Sequence, residues 1–194
     1  MGAKISLGWV STTNDLNNEY TILMNNLKHL GVNIDYVKFS SDNSGFHWNV
    51  VDDYRTYSNK DFLSTLKEFH FLEIPISNFP FGKLTIEAVI TLKVTNKYFG
   101  YLLEMEEDSI ISSYNIKELE TAENIIIQYL KFIFKNFNVD YAFSDQEAEI
   151  EFSPEEFKHL QRPYYAIEAK HDHDGKVKIT KANWYINGLT ERLY

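Results

Sequence analysis

The chain contains no cysteine, so neither disulfides nor thiolate ligands can brace it, and its stability has to come from packing. Its four prolines and eight glycines form no linker, and no low-complexity stretch or internal repeat divides it. The amino terminus lacks a basic start followed by a long apolar run, and nothing elsewhere approaches the ~20 apolar residues of a membrane span. A cytoplasmic protein without a membrane partner is expected. Met1-Gly2-Ala3-Lys4-Ile5-Ser6 matches the lipidation pattern M-G-x-x-x-[ST], but Ile5 to Val10 reads as a buried strand, which speaks against an anchor there. Basic residues are also scarce, 19 against 28 acidic ones for a net charge of −9. That balance argues against nucleic acid as a partner, because neutralising phosphates takes clustered Lys and Arg. It suits a basic partner, or plain solubility.

What is present is enough for one substantial core: 44% of the 194 residues are hydrophobic and 15% aromatic, which excludes wholesale disorder. One domain over residues 1–194 is expected. Lys4 to Ser11 reads as a first strand. Leu16, Tyr20, Leu23, Leu27 and Leu30 follow at helical steps after Asn14 and Asp15, and Gly31 closes that helix. Val32 to Phe39 alternates like a strand, so the chain opens β-α-β, a unit that joins parallel strands by a crossover. Phe46 to Val51 reads as a short strand, residues 52–55 as a charged turn, and Ser58 with Asp61 as the start of a short helix carrying Phe62, Leu66 and Phe69. Phe71 to Ile76 reads as extended, with Pro75 marking an edge or an end. Leu84 to Thr95 and Tyr98 to Glu106 suggest an antiparallel hairpin. Asn115 and Glu118 introduce the longest helix, whose buried positions are Leu119, Ala122, Ile126, Leu130, Ile133 and Phe137. Val139 to Phe143 is a strand, Ser153-Pro154-Glu155-Glu156 a helix start, and Tyr164 to Lys170 with Lys176 to Ala182 a hairpin through Asp174-Gly175. Trp184 to Tyr194 reads as a short closing helix. The expected fold class is α+β: a mixed, mostly antiparallel sheet of six to eight strands with two main helices packed on it.

The stretch SDQEAEIEF, Ser144 to Phe152, places acids at every second position: Asp145, Glu147, Glu149 and Glu151. On a strand these share one face, while Ala148, Ile150 and Phe152 turn to the core. Neighbours about 7 Å apart repel by roughly 0.6 kcal/mol in water and ~2.4 kcal/mol at an effective dielectric of 20, so the row must be wet or meet cations. From Val139 to Leu160 seven acids, including Asp140, Glu155 and Glu156, face a single lysine, Lys158. A solvated outer strand guarded against edge pairing, a basic protein partner and a divalent-metal site all fit this row. A straight strand alone cannot converge oxygens on one ion.

Other constellations point elsewhere. Glu168-Ala169-Lys170 has the E-x-K spacing of metal-dependent nucleases, in which the Glu holds the metal and the Lys orients water. Asp145 would complete such a site, and the usual Pro-Asp partner is missing. His171 and His173 could share a metal or simply belong to a turn. Tyr54, Tyr57, Tyr164, Tyr165 and Trp184 are candidate aromatic anchors at an interface. There is no Gly-rich phosphate loop, G-x-S-x-G elbow or cysteine nucleophile, and no cofactor is expected. Nothing in the sequence sets the oligomeric state.

Several stretches together resemble a family of bacterial immunity proteins from polymorphic toxin systems. They are KISLGWVS, Trp48 followed by Asp53-Tyr54, Phe99-Gly100-Tyr101-Leu102-Leu103-Glu104 and, above all, DYAFSDQEAEIEFSPEEF. The resemblance implies a non-enzymatic cytoplasmic protein that binds and neutralises one toxin domain, commonly encoded beside it. Charge complementarity with a basic toxin surface would supply association rate and specificity. The expected contact row is then Asp145, Glu147, Glu149 and Glu151, with Glu155 and Glu156 beside it and Glu104, Glu106, Glu107 and Asp108 as a second patch. The reading from another class is a metal-dependent nuclease using Glu168 and Lys170.

Overall fold

The computed structural model describes residues 2–12, 15–34, 36–40, 42, 44–51, 71–113 and 115–192. The turn expected at 52–55, the helix expected at 58–69, and Tyr54 and Tyr57 lie outside the described residues. One sheet contains β1 (Lys4–Ser11), β2 (Asn33–Ile34), β3 (Val37–Ser40), β4 (Trp48–Val51), β5 (Phe71–Phe81), β6 (Leu84–Val94), β7 (Phe99–Glu106), β8 (Tyr141–Gln146), β9 (Ile167–His171) and β10 (Val177–Lys181). Its order is β10-β9-β8-β1-β7-β6-β5-β3-β4, with β2 also on β5. Every described pairing is antiparallel. The described helices are α1 (Leu16–His29), α2 (Glu107–Ile110), α3 (Ile116–Asn136) and α4 (Pro154–Lys158). The fold is sheet-rich, with ten strands rather than six to eight and no parallel pair among the described residues.

Long-range placement accounts for most departures from expectation. β1 and β3 point the same way, but β7, β6 and β5 lie between them, so the connection through α1 spans three strands instead of joining neighbours. The strand expected over Val32 to Phe39 is two short ones, β2 and β3, both on β5. Pro75, expected at an edge, sits inside the sheet opposite Val89. On its other side Ile34 pairs with Ile76 and Lys38 with Glu73, so the proline falls across from the break between β2 and β3, where a ladder donor is not needed. β5 continues to Phe81 through a register shift between Ile76 and Phe79, and it meets β6 across Gly82-Lys83. Among the described residues the closing helix is absent. Residues 184–192 form a loop tied by a Trp184–Glu191 bridge, with Gly188 at φ 66° and Asn187 Oδ1 accepting from Leu189 and Thr190.

The period-2 pattern of β1 splits the core in two. Ile5, Leu7 and Trp9 pack with Leu23 and Leu27 of α1 and with Leu119, Ile126 and Leu130 of α3. Val10 faces the other way, into a cluster of Tyr141, Phe143, Ala148, Ile150, Phe157 and Tyr165. Each large side chain so buried contributes roughly 1.5–3 kcal/mol. Local chemistry sets the helix ends: Asp15 accepts from Asn18 N, Asn115 from Glu118 N, and Glu118 in turn takes the amides and hydroxyls of Ser112 and Ser113.

Candidate functional site

The acidic stretch is not one strand. β8 ends at Gln146, Glu147 adopts a φ of 50°, and residues 147–153 run as an irregular strap over the second face of the sheet to α4. Lys4 explains the departure: its carbonyl accepts from Glu147 N at 2.9 Å, and its own N–H donates to Glu147 Oε1 at 2.6 Å. That pinch turns the chain left-handed just past the last β1–β8 pair, Ile5 with Gln146.

The alternation survives without a strand. Ala148 and Ile150 are buried, 9% and 5% exposed, while Glu147, Glu149 and Glu151 are exposed. Two glycines make room beneath them: an ideal Cβ on Gly8 would come 2.2 Å from Phe143 Cζ, and one on Gly100 2.6 Å from Ile150 Cδ1. Tyr165 donates its hydroxyl to Glu149 O at 2.8 Å, and Tyr141 donates to Phe152 O. Phe143 stacks on Tyr165 and Tyr141 on Phe157, each pair 3.9 Å between centroids. The outward acids therefore ride on a strap fixed from below.

Asp145 departs from the row expected of it. Its carboxylate accepts from Ala166 N at 2.9 Å, Trp184 Nε1 at 3.0 Å and Gln146 N at 2.8 Å. Burial pushes its pKa up, and these hydrogen bonds offset only part of the rise. Glu168, 7% exposed, takes Tyr164 N at 2.6 Å and Tyr165 N at 3.2 Å; burial raises its pKa too, against those amides and the charge of Lys170. Lys170 Nζ lies 5.7 Å over the Phe157 ring. Both carboxylates of the nuclease-like reading are thus engaged with the main chain. Among the described residues no three His, Asp or Glu side chains gather as metal ligands.

The remaining expected residues are spread more widely. Glu156 closes a capping box with Ser153, whose hydrogen bonds lower its pKa. Glu155 lies 3.3 Å from His159, both exposed. Glu151 accepts from the Tyr164 hydroxyl at 2.7 Å, and Tyr164 itself is 45% exposed. In the second patch Glu104 pairs with Lys4 at 3.2 Å and Glu107 is buried, bonded by Gln146 Nε2 at 2.7 Å, while Glu106 and Asp108 are exposed. His171 belongs to its turn, Nδ1 at 3.0 Å from Gly175 O, and Asp172 accepts from Asp174 N and Lys176 N. Sequence reasoning missed Glu123, which is fully buried with Lys181 at 2.8 Å and Arg192 and ties the carboxy-terminal loop to α3. It also missed Glu19, buried under α1 with its pKa raised by that burial. The signal was an acid on an apolar helix stripe: Glu123 lies among Leu119, Ala122 and Ile126, and Glu19 beside Tyr20 and Leu23.

Beside the strap, two clefts lie on the second face among the described residues. One, of about 250 Å³, lies between Glu147, Glu149 and Ile150 on one side and Thr91, Lys93 and Leu102 on the other. A second, of about 290 Å³, continues over Pro75, Val89 and Glu87 and shares Glu104 with the first.

The sequence model of the family described as immunity protein 64 matches residues 8–192. The chain belongs to this family. The match takes in β1 from Gly8 onward, the strap and the Glu123-bound loop, and it bears out the resemblance and the toxin-neutralising role that followed from it. A chain from the crystal structure of the toxic C-terminal tip of CdiA from Pseudomonas aeruginosa in complex with immune protein is 14% identical, with a TM-score of 0.46 over 76% of this immunity protein and 88% of that chain. At that level the likeness adds nothing to the family match. No curated protein matches. No helix among the described residues is long and apolar enough to cross a membrane.

Proposed function

We propose that this immunity protein is a non-enzymatic cytoplasmic inhibitor, acting as one domain, that binds a cognate toxin domain through its acidic strap. Glu147, Glu149 and Glu151 form the charged contact row, with Glu155 and Glu156 beside it, and Asp145 supports the row from beneath. Neither nucleic acid nor a membrane is a partner in this reading. The observation that carries it is the alternation along the strap: exposed acids on a backbone held by buried Ala148 and Ile150. A fixed row of like charges is costly unless solvated or matched. It speeds encounter with a basic surface, and because the row is already ordered, little entropy is lost on docking. Tyr164, half-exposed next to Glu151, supplies the aromatic anchor that interface centres favour.

The test is stopped-flow association with the cognate toxin domain, to be sought in the neighbouring reading frame, using the double variant Glu149→Lys, Glu151→Lys. Association slower by about tenfold at low salt, with a flatter salt dependence, is expected. Unchanged kinetics in a folded variant would remove the strap from the interface. Incubation with DNA or RNA and Mg²⁺ or Mn²⁺ should give no cleavage. Cleavage lost on Lys170→Ala would overturn the inhibitor reading.

A further inference from the structure

We propose that the cleft between the strap and the second face of β6 and β7 receives a long cationic side chain of the toxin, arginine in preference to lysine. The assignment rests on the toxin-binding reading above and specifies where and with what chemistry the partner enters.

Size comes first. At about 250 Å³ the cleft has room for one extended side chain, and the adjoining cleft continues it past Glu104. Its lining divides into two zones. Leu102 and Ile150 offer apolar surface for an aliphatic stem, with Thr91 and Ser6 beside them. Among the described residues of the lining, Glu147, Glu149 and Glu104 bring three carboxylates against the single ammonium of Lys93.

Among the described residues, the cations already present leave much of that charge unmatched. Lys93 Nζ points to the strap carbonyl of Ile150 at 3.4 Å. The Lys4 ammonium is bound to Glu104 at 3.2 Å, and only the Lys4 main-chain N–H reaches Glu147. Glu149 lies exposed at the rim. Glu87 and Glu106 extend the acidic character into the adjoining cleft. A guanidinium at the Glu147–Glu149 rim can donate to two carboxylates at once while its stem covers Leu102 and Ile150. Its planar fork and weak hydration favour it over a lysine ammonium there.

Two measurements test this. In the first, N-acetylarginine amide is titrated into the whole protein by NMR, with N-acetylnorleucine amide as the uncharged control. The arginine compound should shift Thr91, Leu102 and Glu149 and the control should not. Lys93→Met should tighten the arginine compound several-fold, because it removes the competing cation, and Thr91→Arg should abolish its binding. In the second, Thr91→Arg should weaken the toxin domain by about tenfold or more, while Lys93→Met, which leaves the cleft open, should not weaken it. No shifts at the cleft would overturn the proposal. So would toxin binding indifferent to Thr91→Arg while Glu149→Lys, Glu151→Lys still slows association, an outcome that leaves the toxin reading standing. A toxin domain that ignores the wild-type protein would overturn both.

Discussion

Asp145 of β8 and Glu168 of β9 hold three successive main-chain amides between them: Ala166 N on Asp145 at 2.9 Å, and Tyr164 N and Tyr165 N on Glu168 at 2.6 and 3.2 Å. The bend at 164–166 that results aims the Tyr165 ring at Phe143 and its hydroxyl at Glu149 O. One acid expected in a contact row and one expected in a metal site are therefore both braces for the strap.

Glu168→Gln should uncouple the brace from pH. Burial holds the Glu168 carboxyl above the ordinary glutamate value. Its contribution to stability is therefore full below the unfolded value and lost as pH rises through the raised folded one. Glutamine keeps Oε1 as acceptor for both amides and cannot ionise. Urea unfolding across a pH series should show the variant gaining on wild type from acid towards neutral, with the gap closing in acid. The opposite slope would mean that the folded protein favours the anion.

Glu123→Ala should be costly, by about 2–4 kcal/mol, because it leaves Arg192 mostly buried without its carboxylate. Glu123→Gln should recover part of that through Ile186 N. Denaturant midpoints read both. Proteolysis of the 182–192 loop should accelerate in the alanine variant before the sheet itself opens.

Gly8→Ala should cost about 1–3 kcal/mol through overpacking, since the new methyl enters the Phe143 ring. Adding Phe143→Leu should return part of the loss. A double-mutant cycle without coupling would show that the ring has room to move.

Glu118 should titrate far below an ordinary glutamate. Hydrogen bonds from the hydroxyls and amides of Ser113 and Ser112 bring it down to about 2. Its stabilising contribution is present above the unfolded value and lost as pH falls through the folded one. Carboxyl NMR across acid pH reads the midpoint directly, and Ser112→Ala with Ser113→Ala should move it upward.

Much of the fold was legible because short-range chemistry determines it. Lys4 to Ser11, the α1 and α3 stripes, the β6–β7 hairpin and the Ser153 capping box follow from periodicity and local hydrogen bonding, which act within a few residues. Distant partners decided the rest. Pro75 is tolerated mid-sheet because β2 and β3 part across from it, and the loop at 184–192 is held by Glu123, some sixty residues away in sequence.

The candidate site divides along the same line. Sequence alone determined that Glu147, Glu149 and Glu151 face away from Ala148 and Ile150, because a two-residue alternation of charge and apolar surface has one low-energy arrangement on any extended backbone. Tertiary structure decided that this backbone is a strap rather than a strand, since Lys4 turns Glu147 out of the ladder and Gly8 and Gly100 leave hollows for Phe143 and Ile150. It also decided that Asp145 turns inward, because the Ala166 amide and the Trp184 indole that bind its carboxylate come from 21 and 39 positions further along the chain.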